Sequence, residues 1–182
     1  MNTGVISVRY ARALLEYAVK LGAEDVTYQN MLQLLATFNS VKELPVVLRD
    51  PHLSAKERTA LICAAVEPSA AFSDFAALVV KQGREEMLPF MAHAYIELYR
   101  KKKGILAARF VTASPVSEEF CREVAVIVGR NSDSTVELEC VTDAEIIGGF
   151  IIETDSRRLD ASVKGQIEKI RKVLVKQNRK IV

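Results

Sequence analysis

The sequence has no tryptophan, two histidines and three cysteines among its 182 residues. Cys63, Cys121 and Cys140 lie far apart without a Cys-x-x-Cys pair, which excludes the spacing of zinc fingers and thioredoxin-type motifs. Such cysteines predict buried free thiols in a reducing compartment, in preference to a disulfide or metal framework, which stays the alternative. No apolar run approaches the roughly 18 residues that a membrane span needs, and no signal-peptide core opens the sequence. We therefore expect a soluble cytoplasmic protein that reaches a membrane only through partners.

The net charge is also small, with a formal value of +2 at pH 7. Bulk charge therefore does not indicate a nucleic-acid binder. The distribution is uneven, since residues 157–182 hold nine Lys or Arg and two acidic residues. Nucleic-acid binding through this segment would usually bring aromatic residues beside the cations, and the segment contains none. A solvated face or a contact with an acidic partner is the preferred interpretation, and nucleic-acid binding stays an alternative.

Patterns of catalytic and cofactor-binding residues are missing as well. His52 and His93 lie on different segments without a Ser or Cys elbow, which argues against a Ser-His-Asp arrangement. The pair Gly148-Gly149 belongs to neither a GxGxxG nor a Walker sequence, and it predicts positive φ or a close backbone approach at the entrance of a strand. We therefore expect no enzymatic activity, no cofactor and no metal site.

The first hundred residues consist of amphipathic helical segments. A capping box is predicted at the sequence SAKE, residues 54–57, and Gly104 is expected to end the last of these helices. We predict an N-terminal bundle of six helices over residues 1–104. Apolar residues recur at helical spacing in four of its segments: Tyr10, Leu14, Tyr17 and Leu21; Tyr28, Met31, Leu35 and Phe38; Phe72, Phe75, Ala76, Val79 and Val80; and Phe90, Met91, Ala94, Tyr95 and Leu98.

After Gly104 the pattern changes to that of strands mixed with helices. The segments ILAARFVTA, STVELECVT and GFIIET predict three strands, the second by its alternation of apolar and acidic residues. Asp160 is expected to be the N-cap of a final helix. Residues 105–182 are thus predicted to form a small β-α-β-β-α domain, and the chain is α+β. The inward faces of its two helices are predicted to be Phe120, Val124, Ile127 and Val128, and Val163, Ile167, Ile170 and Leu174.

Two of the predicted helices are more apolar than one buried stripe requires. Helices this apolar either lie at the centre of a core or share a groove for another helix. From the residues alone, an interaction module is therefore the best functional class. The apolar residues in question are Ala11, Ala13, Leu14, Leu15, Tyr17 and Ala18 in the first helix, and Phe72, Phe75, Ala76, Ala77, Leu78, Val79 and Val80 in the fifth.

Three segments carry a resemblance over essentially the whole chain. They are VRYARALLEYA, with Tyr10, Ala11 and Ala13; LVVKQGREEMLPFMAHAYIELY, with Gly83-Arg84 at its turn; and DAEIIGGFIIETDSRRLDASVKGQIEKIRKVL. The sequence resembles the δ subunit family of bacterial F-type ATP synthases, the counterpart of the mitochondrial oligomycin-sensitivity-conferring protein. It departs from the family pattern at Ala161, where many members have glycine, and in the basic extension KQNRKIV.

The resemblance implies a non-catalytic tether between the catalytic head and the peripheral stalk. The helical domain is expected to receive the N-terminal helix of an α subunit between its first and fifth helices, and the C-terminal domain to bind the end of the b-subunit stalk. We expect a monomer, present once per complex, at the cytoplasmic face of the bacterial plasma membrane. An adaptor with unrelated helical partners is an alternative. The expected α-subunit contacts are Tyr10, Ala13, Leu14, Ala76, Val79, Val80 and Arg84, and the C-terminal structural motif is Gly148, Gly149, Asp160 and Ser162.

Overall fold

The computed structural model describes residues 3–130, 135–154 and 157–178. The chain divides into two compact units, residues 1–102 and 103–182. The boundary falls within two residues of Gly104, which follows the last helix of the first unit with a φ of 64°. The helices of this larger unit within the described ranges are α1 (Thr3–Lys20), α2 (Glu24–Ser40), α3 (Leu44–Leu48), α4 (Ala55–Ala64), α5 (Ala70–Lys81) and α6 (Leu88–Lys103), with a 3₁₀ turn at Glu85–Met87.

The smaller unit combines a mixed sheet with two helices, so the predicted α+β class is confirmed. Its described strands are β1 (Ile105–Thr112), β2 (Thr135–Thr142), β3 (Phe150–Thr154) and β4 (Arg158–Asp160). They lie in the order β2-β1-β3-β4, with β1 parallel to β2 and the other pairs antiparallel. Strand β4 was not predicted, because its three residues are too few to show a period of two. The other described elements of the smaller unit are α7 (Glu118–Arg130), between β1 and β2, a 3₁₀ turn (Ala144–Ile146), between β2 and β3, and α8 (Val163–Asn178), after β4.

Helix α1 buries a different face from the predicted one. Ser7, Ala11 and Ala18 are buried together with Leu14, while Tyr17 is exposed. The buried residues follow helical spacing, and the small ones let α1 approach α2 and α5, which it contacts. The tyrosines, which dominate the sequence pattern, are therefore left on the flank of the helix.

Helix α5 lies at the centre of the larger unit, in contact with α1, α2 and α4. Its N-terminus is fixed by polar groups: Ser69 caps it by accepting a hydrogen bond from the Phe72 amide at 3.2 Å. Asn30 of α2 in turn accepts from the Ser69 amide at 3.0 Å and donates to the Glu67 carbonyl at 2.6 Å, so this buried amide is satisfied. All five predicted apolar positions of the helix are buried: Phe72, Phe75, Ala76, Val79 and Val80.

The ends of the other helices in the larger unit follow local signals. The capping box that opens α4 is confirmed, since Ser54 Oγ accepts from the Glu57 amide and the Glu57 carboxylate accepts from the Ser54 amide. Pro89 is the second residue of α6, where its missing N–H costs nothing. Phe90, predicted to face inward on α6, is exposed.

The helices of the smaller unit bury less than predicted. On α7 only Val124 of the described residues is buried, while Phe120 and Ile127 are exposed. Phe120 still approaches the sheet, because its ring centroid lies 6.1 Å from that of the buried Phe110. The prediction of a fully inward apolar face was wrong, because the 13-residue helix contacts the sheet along a narrower strip.

One face of the sheet carries a row of alternating charges, one on each strand. In register across the sheet, Glu139 of β2 pairs with Arg109 of β1, Arg109 with Glu153 of β3, and Glu153 with Arg158 of β4. Arg158 lies 2.9 Å from the Glu153 carboxylate, and Arg109 lies 3.9 Å from that of Glu139. Cross-strand pairs of opposite charge stabilise a solvated sheet face. We call these four residues the charge row.

Candidate partner-binding surfaces

The larger unit carries an apolar groove between α1 and α5, with a cavity volume of about 350 Å³. Its charged members, Arg9 and Asp74, belong to different helices and are both exposed. A concave apolar surface with few polar groups is typical of a ligand or helix-binding site. We call it the α1/α5 groove; it is lined by Arg9, Tyr10, Ala13, Leu14, Tyr17, Asp74, Phe75 and Leu78.

Two tyrosines of α1 tie the walls of the α1/α5 groove together. The Tyr17 hydroxyl donates to the Asp74 carboxylate at 2.8 Å, and this hydrogen bond raises the pKa of Tyr17. Arg84 donates to the Tyr10 hydroxyl at 2.7 Å, and its guanidinium carbon lies 5.3 Å from the centroid of the Tyr10 ring. Because Tyr10 and Tyr17 are about two helical turns apart, the groove is braced at two places along α1.

The predicted α-subunit contacts fall into two groups. Tyr10, Ala13 and Leu14 line the groove, and Arg84 braces Tyr10 from the end of α5. The side chains of the three predicted α5 contacts, in contrast, lie inside the unit: Ala76 and Val79 are 0% exposed, and Val80 is 4% exposed.

The α5 residues that do face the groove are Asp74, Phe75 and Leu78. Sequence analysis placed the contacts on the buried stripe of α5 instead, because apolar periodicity shows which residues share a face but not whether that face meets the core or a partner. Leu78 is 48% exposed, whereas its neighbour Val79 is fully buried. The charged residue Asp74 could have identified the exposed face of α5. Leu78 follows it by four positions, and residues at that spacing share a helix face.

A second apolar surface lies on α8 of the smaller unit. Residues 166–173 of this helix are all exposed. The predicted inward position of this face was therefore wrong for Ile167 and Ile170, which no described element of the unit covers. The side chain of Leu174 lies outside the described residues. The apolar positions, which we call the α8 stripe, are Val163, Ile167, Ile170 and Val173, exposed by 38% to 60%. The helix also carries Lys164, Lys169, Arg171 and Lys172.

The start of α8 is capped by Ser162 and not, as predicted, by Asp160. Ser162 Oγ accepts a hydrogen bond from the Gly165 amide at 3.0 Å, which is the N-cap contact. Asp160 ends β4, and its Oδ1 accepts from the Ser162 amide at 3.0 Å and from the Ser162 hydroxyl at 2.6 Å. These hydrogen bonds hold the pKa of Asp160 below its usual value. Asp160 therefore holds Ser162, the N-cap residue, in position.

The two glycines lie against this start of α8, at the entrance of β3. Gly149 has a φ of 75°, and a Cβ there would collide with the carbonyl oxygen of Ala161. Gly148 accepts a hydrogen bond from the Val163 amide at 3.0 Å, so the strand entrance and the helix start are joined through the backbone. The preceding residue, Ile147, is exposed with a φ of 70°, a conformation that a β-branched residue rarely adopts. The predicted close backbone approach is thus present at Gly149.

Cys121 and Cys140 form a disulfide bond, while Cys63 is free. The expectation of three free thiols was therefore wrong for two of the cysteines. The bond joins the first turn of α7 to β2, across 19 positions of sequence. Cys140 is in register with Phe110, the residue that Phe120 of α7 approaches, so strand pairing places it on the sheet face that α7 contacts. Spacing along the sequence could not reveal that proximity.

Within the described ranges, no helix has both the length and the apolar character needed to cross a membrane. Among the same residues, no group of three or more His, Cys, Asp or Glu side chains is placed to hold a metal ion.

Known proteins similar to this chain point to one family. The family model described as ATP synthase delta (OSCP) subunit matches residues 6–174. ATP synthase subunit delta of Phocaeicola vulgatus is 40% identical over 185 residues, covering 100% of both chains, and that of Enterococcus hirae is 32% identical over 168 residues, covering 91% of this chain and 93% of the relative. A chain in the cryo-EM structure of the Toxoplasma gondii mitochondrial ATP synthase hexamer shares the fold, with a TM-score of 0.71 and 18% identity over 93% of this chain and 97% of that chain. The protein therefore belongs to the ATP synthase delta (OSCP) subunit family.

Proposed function

We propose that this protein is the non-catalytic stator subunit of an F-type ATP synthase, linking the catalytic α/β head to the b-subunit peripheral stalk so that rotation is coupled to proton transport. Family membership over the full chain is the observation that carries this conclusion. It leaves the adaptor with unrelated partners and the nucleic-acid-binding module without support. The subunit acts as a single copy at the cytoplasmic face of the plasma membrane.

The α1/α5 groove is proposed to hold the N-terminal helix of an α subunit. Its floor is apolar, with Ala13 as the small residue that lets a partner backbone approach, and its walls are already braced by Tyr10 and Tyr17. A helix that enters such a groove buries one apolar face and leaves its other side in water. A preformed groove lowers the ordering cost of binding.

The charges at the edges of the groove favour a particular pattern on the partner. Arg9 precedes Tyr17, whose hydroxyl binds Asp74, by eight residues of α1, or about 12 Å along the helix. A partner helix with an acidic residue near Arg9 and a basic residue about two turns away, near Asp74, is therefore complementary. Exposed pairs of this kind add little affinity but fix register and speed association.

The α8 stripe is proposed to bind the C-terminal region of the b subunit. Over residues 166–173, α8 has no covering layer within the part of the unit that the structure describes. Most helices in proteins depend on tertiary packing for their stability. A partner that covers Ile167, Ile170 and Val173 supplies that packing. The cations on the same helix favour a partner surface that combines apolar with acidic residues.

The groove is tested by calorimetric titration of the chain with an α-subunit N-terminal peptide. Ala13→Asp places a charge in the groove and is expected to cost about 2–5 kcal/mol of binding free energy. Leu78→Asp tests the α5 wall in the same way, whereas Val79→Asp would disrupt the fold because that side chain is buried. Val26→Asp, an exposed α2 position that does not line the groove, is the matched control. Unchanged affinity in both groove variants would show that the peptide binds elsewhere.

The stator role is tested in membranes depleted of the native subunit and reconstituted with variants of the full chain. The double variant Ile167→Asp/Ile170→Asp changes only exposed residues and is expected to leave ATP hydrolysis intact while abolishing ATP-driven proton pumping. Leu159→Asp, at an exposed position of β4, serves as the control. If the double variant pumps like the unaltered chain, the α8 stripe is not the stalk contact.

A further inference from the structure

The disulfide of the smaller unit fastens a helix that is otherwise held weakly. Cys121 lies in the first turn of α7, and Val124 is the one described residue of that helix that is buried. Three other apolar side chains of α7, Phe120, Val126 and Ile127, are exposed. A helix with so little buried surface gains little from packing, so a covalent bond at its first turn carries an unusual share of its attachment.

Both sulfur atoms belong to residues that solvent can reach. Cys140 is exposed on β2, which lies at one edge of the described sheet, and Cys121 is half-buried. Thiol–disulfide exchange requires that an attacking thiolate reach one sulfur, so accessible disulfides are the ones that open and close. The remaining cysteine, Cys63, lies in the other unit and has no bonded partner within the described residues.

We propose that Cys121 and Cys140 form a reversible redox site, oxidised and reduced by exchange with a low-molecular-weight disulfide and its thiol, and that the bond clamps α7 onto the sheet. In the oxidising direction, the Cys140 thiolate attacks one sulfur of glutathione disulfide and releases one glutathione thiolate. The Cys121 thiolate then attacks the Cys140 sulfur of the mixed disulfide and releases the second. The protein loses two electrons and two protons, the two glutathiones gain them, and excess glutathione reverses both steps.

Opening the bond loosens the first turn of α7, because that turn then keeps only noncovalent attachments, among them the Phe120–Phe110 contact and, about one turn further on, the buried Val124. Phe110 is 3% exposed beneath the closed helix, so the reduced unit admits water to part of its small core. The clamp is a property of the smaller unit's fold and does not depend on which partner that unit binds.

The test equilibrates the full chain in glutathione buffers from fully oxidised to fully reduced. Free thiols are then trapped at acid pH and mapped by mass spectrometry, and hydrogen exchange of the α7 amides is followed in parallel. We expect a peptide linked through Cys121 and Cys140 in the oxidised buffer, and exchange of the α7 amides about tenfold or more slower than in the reduced buffer. Cys63→Ser should keep this response, and Cys140→Ser should exchange like the reduced chain in every buffer. If Cys140→Ser does not fold, the reduced unaltered chain supplies the same comparison.

Three results would overturn the proposal. Free thiols at both Cys121 and Cys140 in excess glutathione disulfide would show that the pair is not a redox site. A linkage that involves Cys63 would show that a different pair is oxidised. Equal exchange of the α7 amides in the linked and reduced chains would show that the bond forms without clamping the helix.

Discussion

The two units of this protein differ in how they are held together. Among the described residues, twenty-three hydrophobic side chains are buried in the larger unit and six in the smaller: Ala108, Phe110, Val111, Val124, Ile146 and Ile151. The larger unit therefore owes its stability mainly to burial of apolar side chains. The smaller unit depends more on strand pairing, the charge row, the Ser162 cap and a disulfide.

The difference extends to where each unit leaves apolar surface uncovered. In the larger unit one exposed apolar surface forms the α1/α5 groove, whose walls are braced by hydrogen bonds. In the smaller unit the helices α7 and α8 expose apolar side chains to solvent. A rigid groove suits a partner that enters a preformed site, whereas an uncovered helix is completed by its partner. The small core of the smaller unit thus indicates where a partner would supply the missing packing.

The strongest test of this contrast compares two phenylalanines. Phe72 is fully buried at the centre of the larger unit, and Phe72→Ala is expected to lower the free energy of unfolding by about 3–5 kcal/mol. Phe120 is 44% exposed on α7, and Phe120→Ala should cost about 1 kcal/mol, because few of its contacts are lost. Denaturant unfolding monitored by circular dichroism measures both. Equal losses would mean that α7 is packed as tightly as α5.

A second comparison uses two glycines with similar backbone conformations. Gly149 and Gly83 have φ values of 75° and 60°, but a Cβ would collide with the Ala161 carbonyl only at Gly149. Gly149→Ala should therefore cost about 3 kcal/mol or more, from strain plus overpacking, and Gly83→Ala about 1 kcal/mol from strain alone. Thermal unfolding of each variant separates the two costs. A similar loss at both sites would exclude the close approach at Gly149 as the cause.

A third comparison concerns the helix caps. Ser162→Ala removes the acceptor of the Gly165 amide and a donor to Asp160, and Ser54→Ala removes the capping box of α4. Each should cost about 1 kcal/mol in free energy of unfolding. The same loss weighs more in the smaller unit, so Ser162→Ala should lower the protection of α8 amides in hydrogen exchange more than Ser54→Ala lowers that of α4. Greater loss of protection in α4 would contradict this ranking of the two units.

The smallest expected effect is on acid stability. Hydrogen bonds from Ser162 lower the pKa of Asp160, and those from Ser54 lower the pKa of Glu57. A depressed carboxyl pKa contributes stability that is fully present above the unfolded value, about 4, and is lost as pH falls through the folded value. Asp160→Asn should flatten the pH dependence of the smaller unit in that acid window, and Glu57→Gln that of α4. An unchanged acid transition in Asp160→Asn would assign the effect to other groups.

Sequence analysis predicted the helices and strands of this fold better than it predicted which of their faces are covered and which residues meet in space. Capping residues and apolar periodicity located α4, α5 and three of the strands, because these signals are local. The buried stripe of α5 was predicted, but the residues that line the groove were not, since Leu78 and Val79 are equally apolar and differ only in what lies beside them. Periodicity also indicated an apolar face at Ile167 and Ile170 without indicating whether anything covers it. The Cys121–Cys140 bond was hidden because strand register, which brings the two together, is not a local property.

The charge row also determines which alignments of the strands are permitted. If β3 slipped by one residue along β1, Glu153 would stand opposite Ala108 or Phe110, on the sheet face that α7 covers, and a carboxylate would be buried without a partner. A slip of two residues would place Glu153 opposite Ala107 or Val111 and separate it from Arg109. Opposite Val111 it would occupy the position of Ile151, which is buried. In a unit with so small a core, hydrophobic burial alone discriminates poorly among such alignments. The pattern of surface charge then selects the native pairing while the sheet folds.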